Sequence, residues 1–87
     1  MTITEVVIKM ADIFEEEYIR GDGFNNFKHM ARCYGYEPSD IKEEVIANLR
    51  EYLDDDGDFN VEGEEIVSYR NFIRKVYSEL DKRGIYD

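Results

Sequence analysis

Thr2-Ile3-Thr4-Glu5-Val6-Val7-Ile8-Lys9-Met10-Ala11-Asp12-Ile13-Phe14-Glu15-Glu16-Glu17-Tyr18 is the stretch that decides the fold class. Ile3, Val7, Met10, Phe14 and Tyr18 recur at steps of three or four, and Val6 and Ile13 widen the stripe. That period belongs to a helix with one face turned into a core. Asp12, Glu15 and Glu16 lie opposite, with Glu17 near the edge. Thr2 and Glu5 have the spacing of a capping box, so the helix is predicted to start at Ile3. Gly21-Asp22-Gly23 stops it, because glycine readily takes the left-handed geometry that closes helix ends.

Working outward, Phe24, Phe27, Met30, Ala31 and Tyr34 predict a shorter helix over 25–34, ended by Gly35. Tyr36-Glu37-Pro38 reads as extended, since proline restricts the residue before it. Ser39 or Asp40 then caps a third helix, with Asp40 and Glu43 in an acidic version of the capping arrangement. Its buried face is Ile41, Val45, Ile46, Leu49, Tyr52 and Leu53. Ile66, Tyr69, Ile73, Val76, Tyr77 and Leu80 mark a fourth helix, terminated by Gly84. The expected architecture is mainly α: about four short helices packed on one core, with a short β-ribbon near residues 59–67. No repeat, linker or low-complexity segment divides the chain, so residues 1–87 form a single small acidic domain.

The 87 residues hold one core of marginal stability. An apolar fraction of 43% is ordinary for a folded protein. Lys and Arg number 11 against 21 Asp and Glu, for a net charge of -10. That balance repels nucleic acid and anionic membrane, and attracts basic proteins or cations. Lone Cys33 excludes an internal disulfide, fits a reducing compartment and is expected to be a small buried hydrophobe. His29 has no second His or paired Cys at ligand spacing and reads as a partly exposed helix residue. Met1 to Met10 contains Glu5 and Lys9 and is no signal-peptide core. No apolar run is long enough to span a bilayer. The expected location is the cytosol, or the host cytosol for a phage or mobile-element product.

Between the third and fourth helices lies Glu51-Tyr-Leu-Asp-Asp-Asp-Gly-Asp-Phe-Asn-Val-Glu-Gly-Glu-Glu65. It carries eight carboxylates and no Lys or Arg. So much like charge lowers folding stability by self-repulsion. Solvation, a bound cation or a basic partner would offset that loss. The fourth helix is the one basic element, with Arg70, Arg74, Lys75, Lys82 and Arg83 against Glu79 and Asp81. Some of its cations are expected to pair with the acidic loop, a pairing worth little at an exposed surface.

Ala31, Gly35 and Ile41 have a spacing that resembles helix-turn-helix proteins. The resemblance covers Phe27 to Leu53 and implies a third helix that reads DNA. Asp40, Glu43, Glu44 and Glu51 on that helix, against Lys42 and Arg50, would face the phosphates with like charge. The spacing is therefore packing geometry. From Asp54, the acidic stretch resembles the EF-hand calcium loop. Asp54, Asp56 and Asp58 match its first side-chain ligands, Asn60 its backbone carbonyl, Val61 its apolar position and Glu65 its bidentate carboxylate. Phe59 stands where that loop needs glycine, and a bulky residue in left-handed geometry costs roughly 1–2 kcal/mol.

In size, charge and lack of catalytic constellations, the whole chain resembles the small acidic host-takeover proteins of lytic phages. Some of these are DNA mimics that act on histone-like nucleoid proteins such as HU. The resemblance implies stoichiometric occlusion of a DNA-binding groove, often by a homodimer whose acidic faces join. Carboxylates three or four residues apart on a helix lie roughly 5–6 Å apart. DNA phosphates recur at roughly 3.4 Å along each strand's axis, a comparable stride. The expected partner-binding residues are Asp12, Glu15 and Glu16 on the first helix and Glu43, Glu44 and Glu51 on the third. Asp54, Asp55, Asp56, Asp58, Glu62, Glu64 and Glu65 of the loop complete the set. Seven Tyr and five Phe exceed what a small core needs, so some exposed aromatics are expected as anchors.

The leading expectation is a non-enzymatic inhibitor of a basic nucleic-acid-binding protein, with calcium binding as the alternative. No Ser-His or Cys-His pair, phosphate-cradling glycine loop or His pair at ligand spacing supports catalysis. Exposed carboxylates also lack the apolar pocket that would raise one pKa for acid-base work.

Overall fold

The computed structural model describes residues 2–34 and 38–87, with residues 34 and 38–41 described by backbone alone. Its order is α1 (Ile3–Ile13), continued by a π-helical segment (Phe14–Arg20), then α2 (Phe27–Tyr34), α3 (Pro38–Leu49) with a 3-10 turn (Arg50–Tyr52), and α4 (Tyr69–Lys82). The fold is mainly helical, built from four helices on one core. No strand forms among the described residues. The expected ribbon reduces to two isolated antiparallel bridges, Leu53 to Phe59 and Phe59 to Val67.

The capping box at Thr2 is present: the Glu5 N–H donates to Thr2 Oγ1 at 3.2 Å, and Thr2 N–H donates to Glu5 Oε1 at 3.3 Å. Val6, Met10, Ala11 and Phe14 fill the inner face of this helix. One turn further, Ile19 is buried while Tyr18 is half-buried, which corrects the expected stripe by one residue. The π-helical geometry is the reason. Its bonds reach five residues back, as from Gly21 N–H to Glu16 O, so Phe14 is followed on the core side by Ile19. The helix runs on through residue 22 and turns at Gly23, where φ is 78°.

The second helix begins at Phe27, two residues later than expected, because Asn26 caps it: its Oδ1 accepts from the His29 N–H at 2.7 Å. The first two helical N–H groups are satisfied by distant chain, Phe27 donating to Ile85 O (2.7 Å) and Lys28 to Tyr86 O (3.1 Å). Phe27 meets Phe14, Tyr77 and Tyr86 in one aromatic cluster. Phe27 and Met30 take the inner face and leave Cys33 exposed, not buried as expected. His29 is half-buried and accepts from the Asn25 N–H through Nδ1. Gly35, Tyr36 and Glu37 lie outside the described residues, as do the side chains of Tyr34, Ser39, Asp40 and Ile41. Pro38, expected to be extended, is the first residue of α3, where its fixed φ suits a helix start and its missing N–H leaves nothing unpaired.

α4 packs chiefly against α1. Ser68 caps it by accepting from the Asn71 N–H, so Ile66 lies outside the helix and is exposed, not part of its buried face. At the other end Gly84 takes φ 73°, its N–H donating to Asp81 O while the Ile85 N–H donates to Leu80 O. This paired closure is the glycine stop expected from the sequence.

The acidic stretch is pinned from inside. Phe59 is fully buried and stacks on Phe72 with centroids 3.7 Å apart, and Val61 joins the same core. Replacing Phe59 by Ala should lower unfolding stability by about 3–5 kcal/mol in urea melts. A loss under 1 kcal/mol would show that the loop is held by other means.

Near the start of α4, the Tyr69 hydroxyl is buried without a hydrogen-bond partner. Burial, with the nearby Tyr77, pushes its pKa up to about 12. The folded state therefore keeps this proton where the unfolded chain loses it, so stability is full below about pH 10 and is lost as pH rises through about 12. Tyr69→Phe should gain about 1 kcal/mol at neutral pH by removing the unpaired group. It should also flatten the alkaline limb of a stability-versus-pH series; an unchanged limb would exclude Tyr69 as its source.

Candidate functional site

The outer side of α1 and its π continuation carries Glu5, Ile8, Lys9, Asp12, Ile13, Glu16 and Glu17 around one shallow depression. Helical spacing puts them there, since the buried stripe takes the intervening positions. Lys9 links this strip to the chain after α3: its Nζ lies 3.7 Å from Glu51 Oε1 and 5.5 Å from the Tyr52 ring centroid. Glu51 in turn shares a second shallow depression with Tyr52, Asn60, Val61 and Glu62. The two depressions thus join into one acidic face. Glu16, Glu17 and Glu62 on it are exposed and make no ion pair.

The other expected partner-binding residues are placed differently. Glu15 is not free. It accepts from Arg83 Nη1 at 3.1 Å and pairs with Arg20 as well. Asp12 also pairs with Arg83, at 2.8 Å, and Glu79 accepts from Arg83 Nε at 3.1 Å. Burial pulls the Arg83 pKa down, but its bonds to Asp12, Glu79 and Glu15 outweigh this and the net shift is upward. Glu44 accepts from the Tyr18 hydroxyl, while Glu43 stays exposed on α3. Glu64 lies at the start of α1, its Oε1 accepting from the Ile3 N–H at 3.3 Å. Glu65 lies apart, in a depression shared with Ile66, Val67, Asn71, Arg74 and Lys75.

The turn itself is made by Asp54. Its Oδ1 accepts from the N–H groups of Asp56 and Asp58, both at 3.0 Å, and Gly57 supplies a φ of 83°. Asp55 and Asp56 are exposed at the tip; Asp58 is half-buried. This geometry does not fit the calcium reading. Phe59 goes into the core where the loop would need a turn glycine, and no non-glycine residue among those described has positive φ. Nor do any three His, Cys, Asp or Glu side chains among the described residues converge to hold a metal. Asp54, Asp56, Asp58, Asn60 and Glu65 are therefore not assembled as a ligand set.

One further expectation is corrected, and exposed aromatics are absent among the described residues, the side chains of Tyr34 and Tyr36 lying outside them. No α4 cation pairs with the 54–65 loop among the described residues; the pairing goes from Arg83 to α1 and to Glu79. The described aromatics are all buried or half-buried, because their rings fill the core and its rim. The exposed large apolar side chains among the described residues are Ile8 and Ile66 instead. No described helix is long and apolar enough to cross a membrane. Comparison of the chain with protein-family models, curated proteins and solved structures finds no match.

Arg83 binds three carboxylates while only 21% of its side chain is exposed. Arg83→Met should therefore destabilise the fold by about 1–3 kcal/mol, since three anions lose their shared donor. Added salt should shrink the loss by screening their repulsion. Urea melts at two ionic strengths check this, and a loss that grows with salt would refute it.

Proposed function

We propose that this protein is a non-enzymatic inhibitor that binds a basic DNA-binding protein by presenting carboxylates in place of phosphates. The observation that carries the reading is the joined face of α1 and residues 51–62, where Glu16, Glu17 and Glu62 lack cation partners. Leaving anions unpaired weakens the isolated fold, and a positive surface recovers that energy on binding. Ile8, exposed within the strip, adds an apolar contact of the kind that anchors interfaces.

The partner class is a basic nucleic-acid-binding protein, with histone-like nucleoid proteins such as HU as the first to test. The place of action is the cytoplasm, which is the host's if the chain is phage-encoded. Direct nucleic-acid binding and membrane association are disfavoured by a net charge of -10. The face is narrower than the sequence suggests. Glu15 is tied to Arg83 and Arg20, and Asp54 to its own turn.

Displacement of a labelled duplex from HU tests this, alongside recovery of partners from bacterial lysate at low salt. The protein should release the duplex stoichiometrically, with an apparent affinity that falls steeply as salt rises. Glu16→Lys should weaken release several-fold. Asp81→Lys, an equal charge change on α4, should leave it nearly unchanged. Failure to displace DNA, together with a lysate eluate lacking nucleic-acid-binding proteins, would refute the proposal.

A further inference from the structure

Ile66 is 58% exposed, the highest value for a large apolar side chain among the described residues. It sits between the acidic turn and α4, beside Glu65, Val67, Asn71, Arg74 and Lys75. Next to it, Val67 exchanges both backbone hydrogen bonds with Phe59, at 2.9 and 2.7 Å. Ile66's own N–H and C=O bond to nothing among the described residues. Beside a single antiparallel bridge, the neighbouring residue of extended chain turns these groups to the opposite side, so Ile66 offers one donor and one acceptor outward. Arg74 and Lys75 are exposed and unpaired, in a chain with 21 carboxylates. Glu65 beside them is unpaired too.

We propose that this edge joins two copies of the chain in an antiparallel pair centred on Ile66. An unpaired edge is a template for another strand, and a two-fold axis through Ile66 sets Ile66 opposite Ile66 and Glu65 opposite Val67 of the other copy, beside which Arg74 and Lys75 lie. The patch fits itself. One donor meets one acceptor, isoleucine meets isoleucine, and Glu65 of each copy meets Arg74 or Lys75 of the other. A patch of a single sign would need a foreign partner, whereas this one carries both signs about an apolar centre.

The contact area is small, so the dimer is weak. Each copy bears a charge of -10, and their repulsion opposes approach until salt screens it, over about 8 Å at physiological ionic strength. Self-association should therefore strengthen from low to moderate salt, the reverse of the trend expected for a basic partner. The inference is independent of the acidic face and survives or fails on its own.

Sedimentation equilibrium across a concentration series tests it on the full chain. The wild type should show a reversible monomer–dimer equilibrium at moderate salt. Ile66→Asp should weaken the dimer about ten-fold or more without altering the circular dichroism spectrum. Glu65→Lys alone and Arg74→Glu with Lys75→Glu should each be monomeric, and an equimolar mixture of the two should recover a dimer. A wild type that stays monomeric at the highest concentration, a dimer indifferent to Ile66→Asp, or a mixture that stays monomeric would overturn the proposal.

Discussion

Phe59 stacked on Phe72 is the contact that organises the acidic half of the molecule. A single ring, buried between runs of Asp and Glu, draws residues 54–65 against α4 and forces their carboxylates outward. The two bridges that Phe59 makes, to Leu53 and to Val67, fold the stretch back on itself around that ring. Asp54 and Gly57 then close the turn with local chemistry: a side-chain acceptor for two N–H groups, and a backbone angle that glycine adopts without strain. The anionic loop is thus anchored to the core's rim, with its geometry dictated by apolar burial.

Electrostatics divides the surface along lines that composition does not show. Arg83 gathers Asp12, Glu15 and Glu79 where α1 and α4 meet, converting part of the acidity into a clamp between two helices. Among the charges left unpaired, two groups stand out. One is the glutamates of the outer α1 strip and Glu62; the other is the mixed patch around Ile66, where cations and an anion coexist without pairing. Charge close to its opposite stabilises the fold; charge left alone is free to act elsewhere.

The helices were legible because their evidence is repetitive. A stripe at steps of three or four, with Thr2 and Glu5 at one end and Gly84 at the other, states each helix several times over. Departures occurred where a single residue carries the information. The π segment moves burial from Tyr18 to Ile19, and a short window with both residues apolar gives no sign of the change in pitch. Phe59 and Val61 looked like incidental members of an acidic run, although alternation of apolar residues at 59 and 61 hinted at a half-buried segment. Ile66 fits the α4 period by arithmetic but precedes the cap at Ser68. The candidate face was legible as charge, yet which carboxylates are free depends on where Arg83 reaches. That reach spans 68 positions between Glu15 and Arg83 and is invisible to local pattern.

The start of α2 borrows its acceptors from Ile85 and Tyr86. Each carbonyl is made 58 positions after its donor, Ile85 after Phe27 and Tyr86 after Lys28. At about 5–20 residues per second, the ribosome takes roughly 3–12 s to cover that interval. During it, the aromatic cluster around Phe27 lacks Tyr77 and Tyr86, and α2 has no lid over its first turn. A nascent chain must therefore carry this apolar corner open until residues 85 and 86 have been made.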